Sequence, residues 1–275
     1  MNNLQQIRKP VLGKLTQGTI FTGAEAEDYH GKPIWGLCIT ARCDMAHDTK
    51  TRVFSYLPII TFDAWMLKDG ARLLAERLYL EFRASAANLL KNAKKSHTVL
   101  DSYSPDFISD SMMTGDASFR KIADKLTSVL KFRNLSTPTT EECKALASLN
   151  IKCAERLVKE LWSLQLPGYY FLKQIGATEE ECDAGYVILL REVHHLPYSL
   201  SQAIAQGIEI EDSNERKNYS LSNSSFDFAC PTGLVASPWI EHIMQQFSLL
   251  FSRIGLPDPD LSHLTILNER FTSDN

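Results

Sequence analysis

The sequence lacks almost every pattern that would name a chemistry. No stretch of its 275 residues carries the roughly 18 consecutive apolar residues that a membrane-crossing helix needs, so no span is expected. Six cysteines stand at 38, 43, 143, 153, 182 and 230, with irregular spacing and no CxxC pair. The opening residues (MNNLQQIRKP) hold no apolar leader. The cysteines are therefore expected to be reduced, small, buried hydrophobes in a cytoplasmic protein, not a disulfide framework. There is no Gly-x-Ser-x-Gly, no HExxH, no phosphate-binding loop and no dinucleotide fingerprint. These gaps argue against a nucleophile elbow, a zincin or a nucleotide-driven enzyme. A cationic excess is missing too. Lys and Arg number 29 against 33 Asp and Glu, a net charge of −4. That opposes a protein coating nucleic acid by charge alone, though a local basic face is still allowed.

What is present is ordinary globular composition, with 44% hydrophobic and 23% charged residues. A chain this long can bury a core without staples. Residues 18–22, 33–40 and 52–61 are β-rich, and the apolar run 34–39 is expected to be covered on both faces. The middle turns helical. Leu73, Leu74, Leu78, Phe82, Leu89 and Leu90 suit a helix over 69–95, and Phe119, Ile122, Leu126 and Val129 suit one over 117–132. Thr139 followed by Glu142 fits a capping box that opens a third helix reaching about 164. Its stripe is Leu146, Leu149, Cys153, Leu157 and Leu161. Strands return at 169–175 and 185–193, with a further weak one at 225–230. Ser237 and Pro238 open a closing helix that Gly255 and Pro257 end.

The expected fold class is α+β. A small mixed or antiparallel sheet, or SH3-like barrel, is built from N- and C-terminal strands in residues 1–67 and 166–258. A helical lobe over 68–165 is inserted between them, a helix closes the core, and 259–275 form a polar tail.

Candidate chemistry concentrates in residues 39–48, just past the apolar strand. Cys43, Asp44 and His47 are able metal ligands, although a second half-site is not evident. Asp44 and His47, with His195 from the His194–His195 pair, could serve as acid–base groups in a nuclease or metal-dependent hydrolase. The plainer reading makes Asp44 a turn cap and puts His194–His195 in a surface turn. No cofactor is required, while a divalent metal is compatible with the segment. Arg42 is a candidate binding residue. So are Arg77 and Lys94 in the locally basic helical block, which could meet nucleic acid or an acidic partner. Trp239 and Met244 stand slightly off the stripe of the closing helix. They suit either a partner surface or a wide buried face.

Three resemblances follow from these residues. Arg42-x4-His47 resembles the short Arg…His motif of HEPN-type ribonucleases, though there the motif lies in a helical bundle. Residues 16–21 (TQGTIF), 34–40 and 54–61 resemble the opening strands of PemK/MazF-type toxins, which implies a small SH3-like barrel. Thr19 stands where that family has an acidic residue, and its arginine-rich loop is absent, so no RNA-cleaving site is carried over. Finally, Thr40-x-x-Cys43-Asp44, together with Ser237-Pro238-Trp239-x-Glu241-His242 and residues 253–257 (RIGLP), is similar to a bacterial defence-associated family. That likeness implies an accessory or sensor component of a multi-gene system, such as antiphage defence, that acts by binding a partner protein.

Overall fold

The computed structural model describes residues 5–42, 52–176, 184–210, 221 and 226–251. Its centre is one long strand, β4 (Val53–Thr61), nine residues of mostly buried, β-branched and aromatic side chains. β3 (Trp35–Cys38) lies antiparallel along one edge, from Trp35 opposite Ile59 to Cys38 opposite Tyr56. The other edge is shared. Its first half pairs with β7 (His194–Pro197), and its last three residues pair with β6 (Tyr186–Leu189). Pro58 falls in the gap between those two partners, where its missing N–H costs no ladder bond on that edge.

The remaining strands are β1 (Ile7–Arg8), β2 (Thr19–Thr22), β5 (Tyr169–Leu172) and β10 (Pro231–Val235). The order is β1-β10-β2-β3-β4-β6-β5, with every pairing antiparallel. The sheet curls into a half-barrel, so the expected α+β class with SH3-like character holds. The first and last strands meet here, since β10 pairs with both β1 and β2. A separate two-stranded ribbon joins β8 (Ile208–Glu209) to β9 (Phe228–Ala229).

Both faces of the sheet are covered, as the unbroken apolar run in β3 implies. Along β4, Phe54, Tyr56 and Ile60 point to one side, and Leu57 and Ile59 to the other. The first set packs with Leu74, Leu78, Phe82, Phe119 and Leu126 of the helical block. The second packs with Ile240 and Ile243 of the closing helix. Gly36 is needed because the Phe21 ring lies over it. A Cβ there would come within 2.2 Å of that ring.

The helical block begins earlier than the sequence pattern suggests. Thr61 caps α1 (Phe62–Trp65) by accepting the Ala64 N–H, a π-helical turn follows over Met66–Gly70, and α2 (Ala71–Asn92) runs on from it. Two short helices, α3 (Val99–Ser102) and α4 (Pro105–Ser111), precede α5 (Ala117–Arg133), which Asp116 caps through the Ser118 and Phe119 N–H groups. The single third helix expected over 139–164 is two. α6 (Thr140–Ser148) opens on the expected capping box of Thr139 and Glu142. Asn150 then starts α7 (Ile151–Trp162), its side chain accepting from the Cys153 N–H, because asparagine competes for backbone donors and so favours a cap over a helix interior. Replacing Thr139 by alanine removes the two hydrogen bonds of its hydroxyl, which accepts from the Glu142 N–H and donates to the Glu142 carboxylate. It is expected to cost about 1 kcal/mol, read as a lower urea midpoint with unchanged slope.

After β7 comes α8 (Tyr198–Gln206), and the described part ends in α9 (Trp239–Phe251). Neither α8 nor β10 shows a clear pattern in sequence. No described helix is long and apolar enough to cross a membrane.

Candidate functional site

Cys43, Asp44 and His47 lie outside the described residues. Arg42 is the last described residue before them and is exposed. Upstream, Cys38 is buried, and burial pushes its thiol up to about 12, which makes it inert as a nucleophile at neutral pH.

His194 and His195 occupy a strand, not a turn, so their side chains leave opposite faces of the sheet. His195 sits opposite Ser55, exposed, with its Nδ1 3.1 Å from the Ser55 hydroxyl. His194 sits opposite Tyr56 and stacks on its ring, with centroids 5.3 Å apart and planes at 17°. Its Nε2 lies 2.6 Å from a carboxylate oxygen of Glu192. The same oxygen accepts the Glu27 N–H at 2.6 Å, and the Tyr56 hydroxyl accepts the Glu25 N–H at 3.2 Å. The Glu192 hydrogen bond holds the imidazole above its ordinary pKa against the opposing effect of burial, helped by the charges of Glu25 and Glu27. Tyr56 is pushed well above the ordinary phenol by burial. The cluster thus fastens the 24–29 segment to β4 and β7. It does not converge with His195.

Four arginines of the basic helical block are paired with its own carboxylates. Arg77, half-buried, pairs with Glu160 at 2.6 Å across α2 and α7. Arg83 pairs with Asp101, Arg120 with Asp110 at 2.6 Å, and Arg133 with Glu76 at 3.2 Å. Lys125 donates to the Leu149 carbonyl at 2.9 Å and sits over the Phe82 ring. Lys94 is exposed just past α2, with φ at 56°, the left-handed conformation that closes a helix. Trp239 packs against the apolar cluster on the sheet's second face, and its indole nitrogen is buried. It and Met244 help cover the sheet.

No family model, curated protein or solved structure matches this chain.

The surface that sequence reading passed over is on α7. Cys153, Leu157 and Leu161 of this helix are buried against the block. A second apolar stripe faces outward. Ile151 is 61% exposed, Val158 41% and Trp162 62%. At about 100° per residue these three fall within a wedge of roughly 40°, and they run about 16 Å along the axis. Lys152, Arg156 and Lys159, all exposed, form the next strip round the helix, with exposed Glu155 between it and the ridge. The signal was available in sequence as a spacing of seven and four residues. The stronger stripe on the same helix masked it.

Proposed function

We propose that this chain is an accessory or sensor protein that works by binding a protein partner on the outer face of α7. The observation that carries this reading is the aligned, exposed trio of Ile151, Val158 and Trp162. Single exposed apolar residues are common on any protein. Three aligned ones that end in a tryptophan have the composition of an interface hot spot. Its cellular setting would be a bacterial multi-gene system, such as antiphage defence, in keeping with the family that the motifs at Thr40–Asp44 and 237–257 resemble.

Two alternatives have less support. Nucleic-acid binding by the helical block would have to do without Arg77, Arg83, Arg120 and Arg133, which are paired with carboxylates. A nuclease or metal-dependent hydrolase would need His195 beside Asp44 and His47. Asp44 and His47 lie outside the described residues.

Site-specific photo-crosslinking tests the reading. A benzophenone amino acid replaces Val158, Trp162 or, as control, exposed Leu12, in cells that carry the neighbouring genes. One dominant adduct is expected from the first two positions and none from Leu12. Equal adducts at all three positions, or none at any, would overturn it.

A further inference from the structure

Resting on that reading, we infer that the partner presents an amphipathic helix with an acidic flank, laid alongside α7. The outward face of α7 is an apolar ridge with cations down one side. Three positive residues, Lys152, Arg156 and Lys159, stand against the single exposed carboxylate of Glu155. The other nearby carboxylates are engaged. Glu160 is paired with Arg77, and Glu81 accepts from the Asn150 amide at 2.7 Å. An incoming helix with apolar residues at three- and four-residue spacing fills the ridge, and carboxylates on its edge meet the cationic strip.

The charge layout disfavours two other occupants. In an antiparallel pairing of two copies, equivalent flanks face each other, so the cationic strip of one α7 would meet that of the second. A bilayer suits the charge but not the shape. Interfacial helices sink a broad apolar face, whereas the main apolar stripe of α7 is already buried in its own core and only a narrow ridge remains.

The test uses the intact protein and two labelled peptides with one shared leucine seam, one flanked by glutamates and the other by lysines. Fluorescence anisotropy is expected to show the glutamate peptide binding at least about tenfold more tightly, with the preference shrinking as salt is raised. Reversing the strip with Lys152→Glu, Arg156→Glu and Lys159→Glu together should invert the preference. Val158→Asp should weaken both peptides, with circular dichroism confirming that the variants are folded. Equal binding of the two peptides, or none, overturns the acidic-helix inference. If the Val158 crosslink persists in that case, partner binding stands and only its chemistry is wrong. Concentration-dependent self-association lost in Val158→Asp would assign the face to a second copy. Binding to phosphatidylserine vesicles lost in the same variant would assign it to a membrane. Either result overturns the proposal.

Discussion

Replacing Trp65 with alanine is expected to lower stability by about 3–5 kcal/mol, a large share of the 5–15 kcal/mol that holds a typical domain folded. Trp65 is fully buried where α1 passes into the π-helical turn. Its ring packs edge-on to Tyr169, the first residue of β5, at 5.5 Å, and lies 5.9 Å from Phe62. It therefore ties the start of the helical block to the strand that follows the block. Gly70, one turn on, leaves room for the ring. A Cβ there would stand 2.8 Å from it. Alanine at position 65 would leave a cavity between elements that cannot easily close, because the sheet fixes one wall and α2 the other. Urea unfolding followed by circular dichroism should show a large fall in midpoint. Trp65→Phe is the informative companion. It retains much of the packing and removes an indole N–H that has no hydrogen-bond partner among the described residues. It should therefore cost clearly less than alanine. Equal losses for the two would mean that ring volume is not what the site requires.

The second prediction concerns Glu192 and His194. Because the folded protein holds His194 above its ordinary pKa, the protonated imidazole contributes stability that is fully present below about pH 6.5. The contribution is lost as pH rises through the raised folded value. Glu192, Glu25 and Glu27 are the charged groups around the ring, and Tyr56 stays neutral throughout this range. Glu192→Gln removes the carboxylate that accepts from both His194 and the Glu27 N–H. A hydrogen bond to a charged group is worth about 1.5–3 kcal/mol, and the loss should sit toward the lower end here because both side chains are partly solvated. The loss should be larger at pH 6 than at pH 8. Thermal unfolding across that range, for the wild type and for His194→Gln, checks the sign. The wild type should lose stability with rising pH relative to the variant. A difference between them that does not change with pH would remove His194 as the titrating group. Hydrogen exchange at the Glu25 and Glu27 amides gives a local reading, since both are held by this cluster.

Much of the architecture was legible in the residues. The unbroken apolar run in β3 announced a strand buried on both faces, and Thr139 with Glu142 announced the start of α6. The closing helix was written in the spacing of its apolar residues. These features depend on neighbours a few positions away, so local pattern suffices. The break at Asn150 was also local, but a continuous apolar stripe across 146–161 hid it. The early start at Phe62 was less visible, because β-branched and aromatic residues lead directly from β4 into the first turn without a loop.

The candidate site divides along the same line. The sequence by itself named side chains able to do chemistry and put them just past strands, whereas His194 and His195 lie within β7, and Cys43, Asp44 and His47 lie outside the described residues. It also placed Ile151, Val158 and Trp162 on one side of a helix, since helical geometry alone aligns them. Through Cys153, Leu157 and Leu161 it marked the side of α7 that would be covered, but not what would cover it. That depends on where α2 lies, through contacts such as Arg77 with Glu160, between residues more than eighty positions apart. Tertiary structure likewise decided that His194 and His195 act apart. Pairing β7 with β4 sends consecutive side chains to opposite faces, one toward Glu192 and Tyr56 and the other toward Ser55. Chain spacing sets what can be neighbours within an element, and only the packing of elements sets what each face meets.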